Sequence, residues 1–342
     1  MTDTPVGLCY SSVVSRFSIR IAFLIAALND LDILACDISN AYLNAPCRER
    51  IWFVAGLECG KSLEGKVMKL VRVLYGLKSS GASWRKMFKD HVVDKLEFTP
   101  SVVDPDMYYQ RNVKADGTEY YELLLVYVDD VLACSHDPKG IMLGIAAKFD
   151  IKNDEIEEPK LYLGGNVEKF QLPNGKVAWS LTSNSYVQGA VDTMQRLLAE
   201  DGRTLKSGKR SHKGLLPHGY RPETDTSDEC NAEHVSRFQQ LIGILRWAVE
   251  LGRIDIQIEV ALLSQYQMNP RQGHLEALYL IFHFLWKNPK KRQVLDPSTP
   301  SINESVFHSN ADWVEFLRGH GGRGPTTNAS ATGRACCYIY FC

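Results

Sequence analysis

The stretch that most limits what this chain can fold into lies between residues 120 and 134. Tyr120 to Tyr127 (YYELLLVY) and Val131 to Cys134 (VLAC) are two β-prone, apolar runs separated only by Val128, Asp129 and Asp130. Runs of this kind joined by so short a connection predict a β-hairpin. Its strands must be covered, because a near-continuous apolar strand has no polar face to offer water. Two adjacent carboxylates are thereby fixed at the tip of a buried hairpin.

A third acid is delivered in the same way. Leu31 to Ile38 is a short apolar run ending in Asp37-Ile38-Ser39-Asn40, which predicts a buried strand with an aspartate at its end and Ser39 or Asn40 as a cap for the following turn. If neighbouring strands bring Asp37 beside Asp129 and Asp130, three carboxylates repel one another and their pKa values rise unless a cation neutralises them. Oxygen-only donors select hard divalent ions, and Mg²⁺ takes one or two carboxylates together with substrate phosphates. Each acid alone also fits a structural role, Asp-Asp as a turn dipeptide and Asp37 as a helix cap.

Around these acids the pattern alternates between the two periods. Residues 15–30 have helical spacing, residues 66–75 look strand-like, and residues 83–96 read as a helix carrying Trp84, Met87, Phe88 and Val92. Leu161 to Phe170 and Val177 to Leu181 flank Pro173-Asn174-Gly175, a strong hairpin signal. Helical spacing returns at 186–198, and again at 234–251, 256–268 and 272–287. Between about 201 and 232 the chain is polar and rich in Gly, Pro and Ser, which is linker chemistry and the expected domain boundary. Arg203, Lys206, Lys209, Arg210 and Lys213 form a basic run there, read as a solvated face, and His274 on an apolar helix is read as structural.

Composition narrows the classes of function. With 342 residues, 45% hydrophobic and 23% charged, the chain is an ordinary globular protein of about two domains. A net charge of -1 provides no global field for nucleic acid or anionic lipid, so any basic surface must be local. Nine cysteines without C-x-x-C pairing or His/Cys clustering argue against a zinc site and against a secreted disulfide framework. Ile19 to Leu28 is about half of the roughly 20 residues that a bilayer crossing needs, and no membrane partner is expected.

Three segments in succession carry a resemblance: Asp37-Ile38-Ser39-Asn40-Ala41-Tyr42-Leu43-Asn44, Leu74-Tyr75-Gly76-Leu77-Lys78-Ser79-Ser80-Gly81-Ala82-Ser83-Trp84, and Tyr127-Val128-Asp129-Asp130. In order and spacing they resemble the palm motifs of reverse transcriptases from the Pol polyproteins of copia-type LTR retrotransposons. Flanks extend the likeness, among them Ser101-Val102-Val103-Asp104-Pro105-Asp106, Tyr162-Leu163-Gly164-Gly165 and Arg253-Ile254-Asp255-Ile256.

The resemblance implies an α+β fold: a polymerase palm, an antiparallel sheet backed by helices, followed by a thumb and a helical connection region, with the fingers largely missing. It divides the chain into a palm with a fingers remnant (1–183), the start of a thumb (184–205), a polar linker (206–232), a helical connection (233–316) and an unrelated or disordered tail (317–342). It assigns catalysis and metal ligation to Asp37, Asp129 and Asp130, and two Mg²⁺ ions as cofactors with Mn²⁺ as an alternative. Ile38, Tyr42, Ser79 and Gly81 become nucleotide-binding residues, with Tyr42 as the steric gate against a 2′-hydroxyl and the backbone N–H groups of Ile38 to Ala41 as a triphosphate cradle. The expected partners are an RNA template, a DNA primer and a dNTP, in an intracellular setting, a cytoplasmic virus-like particle or the nucleus. The expected activity is RNA-directed DNA polymerisation by a truncated fragment. The competing expectation is a catalytically decayed remnant that keeps the palm fold and binds nucleic acid weakly.

Departures from the family pattern sharpen these expectations. Lys78-Ser79-Ser80-Gly81 stands where many relatives have Lys-Gln-Ser-Pro, and only 36 residues precede Asp37. Residues 317–342 contain no Asp or Glu, so no RNase H activity is expected.

Overall fold

The computed structural model describes residues 9–205, 215–217 and 219–297 and the backbone of 339–341. By packing it divides at Pro159/Lys160 into two compact units.

The first unit is built on a five-stranded antiparallel sheet. Its strands are β1 (Asp32–Asp37), β4 (Thr99–Pro100), β5 (Met107–Val113), β6 (Glu119–Tyr127) and β7 (Asp130–Ser135), in the spatial order β1-β7-β6-β5-β4. A separate ribbon pairs β2 (Trp52–Val54) with β3 (Val67–Lys69). The helices are α1 (Arg16–Leu28), the short α2 (Ala41–Asn44), α3 (Ser80–Asp94) and α4 (Pro138–Ala146). Leu124 and Val126 of β6 and Val131 and Ala133 of β7 share one core with Trp84 and Phe88 of α3 and Met142 and Ile145 of α4. Residues at the alternate positions, Leu123, Leu125, Leu132 and Cys134, are equally buried and must face the other side. Both faces of the hairpin are therefore covered, as its unbroken apolar pattern demands, and each fully buried Leu or Val contributes about 2 kcal/mol.

The N-terminal end of this unit is fastened by polar contacts. Ser15 caps α1, accepting from the Ser18 amide, while the Ser15 amide and the Ser18 hydroxyl both donate to Asp104 Oδ2 (2.9 and 2.6 Å). Ser12 donates to Asp106, whose other carboxylate oxygen accepts from Arg85 Nε of α3 at 2.6 Å. Asp106 is 2% exposed, and a buried carboxylate is tolerable only when its oxygens are satisfied in this way.

In the second unit a sheet of order β12-β11-β10-β9-β8 uses β8 (Leu161–Tyr162), β9 (Gly165–Gln171), β10 (Val177–Thr182), β11 (Arg292–Leu295) and β12 (Ile339–Phe341). Four helices, α5 (Asn184–Glu200), α6 (Ala232–Glu250), α7 (Gln257–Ser264) and α8 (Gln272–Lys287), bury a common core of Val187, Met194, Phe238, Leu245, Leu263 and Phe282, among others. Arg253, 1% exposed, is held by both oxygens of Asp255 (2.8 and 2.9 Å) and by the Asn288 carbonyl (3.0 Å).

Several expectations need adjustment. The α+β class and the antiparallel sheet backed by helices are present. The strand expected over 66–75 is regular only over Val67–Lys69, where it pairs with β2, and continues as an isolated bridge between Arg72 and Pro46. The division falls at 159/160 rather than within 201–232, since β9 and β10 pair with β11 and α5 packs on α8 and α6. The part of 206–232 that is described is anchored: the Pro222 carbonyl meets His274 Nε2 at 2.9 Å, and Ser227 Oγ accepts from the Gly273 amide at 2.8 Å. The Ser227 hydroxyl and the Asp228 carbonyl thus take first-turn amides of α8, in a segment that composition alone reads as linker. His274 is buried and structural, as expected. Arg203 is not merely solvated but clamps Glu276 through two 2.7 Å bonds; Lys206, Lys209, Arg210 and Lys213 lie outside the described residues. Of the tail from 317, the described part is the backbone of β12 alone, which pairs with β11.

Candidate active site

Strand register brings the three acids together. β1 and β7 run antiparallel with Asp37 directly opposite Asp130, and directly opposed side chains of such a pair stand on the same face with Cβ atoms about 5 Å apart. Tyr127 opposes Asp130 in the β6–β7 hairpin, so Val128 and Asp129 form a two-residue turn. Val128 has φ +60°, a left-handed conformation that costs a β-branched residue roughly 1–2 kcal/mol. Two bonds hold the strained tip in place: Trp84 Nε1 donates to the Val128 carbonyl at 2.7 Å, and the Ile38 amide donates to the Asp129 carbonyl at 2.9 Å.

The electrostatics follow from this crowding. Asp130 is pushed up to about 6, chiefly by burial and then by the charges of Asp129 and Asp37. Asp129 is raised as well, again by burial first, with Asp37 adding to it. The Tyr42 phenol is raised by burial and by Asp129, which places its hydroxyl within the field of the acids. Behind them the Cys36 thiol is pushed up to about 12 by burial and by Asp37 and Asp130. Among the described residues Lys152 answers the acids: its Nζ lies 3.1 Å from Asp37 Oδ2, and its positive charge lowers Asp129 and Asp130 in turn. Among the described residues no three carboxylate, thiol or imidazole groups form a ready-made metal cage. The donor set nevertheless suits a hard divalent cation, being all carboxylate oxygen with its charge incompletely offset.

The nucleotide-binding expectations separate. Tyr42 sits on α2, its ring 4.8 Å from that of Tyr75, and a Cβ added to Gly81 would lie 4.0 Å from the Tyr42 hydroxyl. The N–H cradle from Ile38 to Ala41 is not intact. The Ile38 amide is used by Asp129 and the Ser39 amide by the Asp150 carbonyl (2.9 Å), because the end of β1 continues into bridges with neighbouring backbone. Ser79 is 3% exposed and its hydroxyl donates to Glu49, so it braces the start of α3. Gly81 lies inside α3, which begins three residues earlier than its apolar spacing suggests. Its missing side chain admits Ser11, whose Cβ would be 3.0 Å from an added Cβ.

Sequence reasoning missed Lys152, Trp84's indole bond and the Asp104–Asp106 fastening. Lys152 follows the bridge between Ile38 and Ile151, a pairing across more than a hundred residues that no local pattern announces. Asp104-Pro105-Asp106 was legible as a flank but gave no sign of its buried partners.

With this geometry in view, comparison with known proteins is decisive. The profile of the family described as reverse transcriptase (RNA-dependent DNA polymerase) matches residues 7–194, more than half of the chain. The chain belongs to that family. It is 26% identical over 284 residues to the Retrovirus-related Pol polyprotein from transposon TNT 1-94 of Nicotiana tabacum, covering 81% of this chain and 20% of that protein. It is 24% identical over 346 residues to the Transposon Ty1-BR Gag-Pol polyprotein of Saccharomyces cerevisiae, covering 94% of this chain and 18% of that one. The chain thus spans about a fifth of the length of these relatives, and it corresponds to the reverse transcriptase region of copia-type Pol polyproteins. No solved structure matches it. No helix among its described residues is long and apolar enough to cross a membrane.

Proposed function

We propose that this chain carries out RNA-directed DNA polymerisation, transferring a nucleotidyl group from a dNTP to a primer 3′-hydroxyl on an RNA template. The observation that carries this reading is the convergence of Asp37, Asp129 and Asp130 with their charge only partly offset by Lys152. Lys152 pairs Asp37, yet Asp129 and Asp130 both stay raised, which a cation bound among the three would relieve. When bound, two Mg²⁺ ions held by Asp37 and Asp129, with Asp130 completing the acidic set, would supply a lowered pKa at the primer hydroxyl and charge neutralisation at the phosphates.

The chain's own residues have the remaining roles. Register between β1 and β7 keeps the three carboxylates on one edge without any loop having to order on binding, which is preorganisation of the kind that dominates electrostatic catalysis. Tyr42, packed against the tilted ring of Tyr75, is the wall against a 2′-hydroxyl. Gly81 keeps the surface next to Tyr42 free of a side chain, while Ile38 and Ser79 act indirectly, by fixing the Asp129 carbonyl and the start of α3. Within this reading the sheet of the first unit is the palm and α5 opens the thumb, and the protein works inside the cell, in a virus-like particle or the nucleus.

Primer extension on an RNA template with Mg²⁺ or Mn²⁺ tests the proposal. The wild-type chain extends the primer, and Asp129→Asn and Asp37→Asn lose about 10³-fold in rate. Equal incorporation by all three proteins, or none by the folded wild-type chain, refutes it.

A further inference from the structure

Asp129 is presented by a turn whose own residues do not choose its shape. Val128 has φ +60° while Asp129 stays outside the left-handed region, the pattern of a type II′ hairpin turn, whose first central position glycine fills best. A β-branched residue is strained there. The competing type I′ turn needs positive φ at both central residues, which aspartate tolerates. The two types differ in the orientation of the peptide between the central residues, here the one joining Val128 to Asp129. A flip of that peptide would turn the Asp129 backbone and redirect its carboxylate.

Trp84 holds the peptide that would flip. Its indole Nε1 donates to the Val128 carbonyl at 2.7 Å, and the carbonyl on the far side of Asp129 accepts from the Ile38 amide at 2.9 Å, one residue from Asp37. Asp129 is thus gripped through both flanking peptides, one by α3 and one by the strand that carries Asp37. The N–H of the peptide held by Trp84 belongs to Asp129 and bonds its own carboxylate. The indole is itself fixed: Trp84 is 2% exposed, with the ring centroids of Phe88 and Phe149 5.6 and 5.2 Å from its own. A buried indole N–H needs an acceptor, so the bond locks both partners. Packing leaves the turn some freedom, because Trp84, Tyr108, Val126 and Val128 help to line a cavity of about 10 Å³, room for about one water.

We propose that Trp84 is a positioning residue of the acidic site: by holding the peptide between Val128 and Asp129 it selects the turn shape that aims the Asp129 carboxylate into the cluster with Asp37. The proposal rests on the polymerase reading for the use the cluster is put to, but its physical content concerns this chain's own residues. Trp84 acts through a backbone carbonyl and brings no charge, so its effect is on how well the carboxylates converge on a cation. Groups that orient metal ligands in this way are worth roughly 10–100-fold in metal affinity.

The test is Mn²⁺ binding by the full chain, read from the electron paramagnetic resonance signal of the free ion and counted as the part that Asp129→Asn abolishes. Trp84→Phe is expected to lose about 10-fold in Mn²⁺ affinity, and Trp84→Tyr, which removes the same donor, to do likewise. Phe88→Leu, one turn along α3, is the packing control and keeps wild-type affinity. Adding Val128→Gly to Trp84→Phe installs the residue that a type II′ turn prefers and is expected to regain about threefold in affinity. A void left by the missing indole ring is not refilled at position 128, so that recovery separates positioning from packing. Unchanged affinity in the Trp84 variants, folded by circular dichroism, overturns the proposal; so does an equal loss in Phe88→Leu, no recovery in the double variant, or no Asp129-dependent binding by wild type. Primer extension by wild type judges the polymerase reading separately. A chain that extends no primer yet shows the loss and the recovery keeps the proposal and loses that reading, and a chain that extends while its Trp84 variants bind Mn²⁺ normally does the reverse.

Discussion

Replacing Asp130 by Asn should stabilise the first unit, and the size of the gain follows from the site. Its carboxyl is raised from 3.8 to about 6 in the folded protein by burial and by Asp129 and Asp37, so the folded state binds a proton more tightly than the unfolded chain does. A group raised in this direction leaves stability intact below pH about 4 and removes it progressively as pH rises to about 6, after which the full cost applies. Two pK units amount to at most about 3 kcal/mol, and solvent access to the partly open carboxylate reduces this to about 1–2 kcal/mol. Asp130→Asn deletes the charge at nearly constant volume. The variant is therefore expected to be more stable than wild type by about 1–2 kcal/mol near pH 7.5, with the advantage falling to about a third of that near pH 4.5. Because the two units need not unfold together, the measurement should be local, by native-state hydrogen exchange of peptides from β6 and β7 under increasing urea. Saturating Mg²⁺ should narrow the gap at the higher pH, since it binds wild type better than the variant. An advantage that is absent, or that persists undiminished at the lower pH, would refute the claim that unrelieved charge is stored at this edge.

Trp84→Phe removes the donor to the Val128 carbonyl and should cost about 2 kcal/mol in urea unfolding of the first unit; a change within error would mean the turn does not depend on it. Tyr42→Ala should raise the ratio of ribonucleotide to deoxynucleotide incorporation by about 10²-fold, and an unchanged ratio in single-nucleotide extension removes Tyr42 as the gate. Asp106→Ala strands Arg85 and frees Ser12, with an expected loss of about 3 kcal/mol and increased protease cleavage ahead of α1; resistance equal to wild type would count against the fastening. Lys152→Ala removes the cation that lowers Asp129 and Asp130, so the acidic limb of the pH–rate profile of primer extension should move to higher pH by a few tenths of a unit, and a shift the other way contradicts the assignment.

What could be read from the chain alone follows a physical division. The acidic hairpin was legible because its signal is local: a covered strand must be apolar throughout, and Val128 to Asp130 break two such runs. Asp37 was legible because its strand ends on it, and pairing it with Asp130 needed only that the two strands be neighbours. The long helices α5, α6 and α8 declared themselves by period. By contrast α4 (PKGIMLGIA) has two glycines, a proline and too few turns for a period, and β5 (MYYQRNV) mixes tyrosines with polar residues; tertiary contacts decide both. At Ile38, Ser79 and Gly81 the structure shows local uses that motif position does not announce. Position in a motif says that a residue is near the nucleotide but not what its own amide, hydroxyl or missing side chain is already doing. Ile38 spends its amide holding the carbonyl of Asp129, Ser79 its hydroxyl on Glu49, and Gly81 its empty space on Ser11. The two bonds and the close approach at Gly81 stiffen the ground beneath Tyr42 or the acids. If these residues act as supports, substitutions there disturb geometry before they disturb affinity. Ser79→Ala should accordingly lower kcat for primer extension while leaving KM for the dNTP nearly unchanged, whereas a direct contact would raise KM.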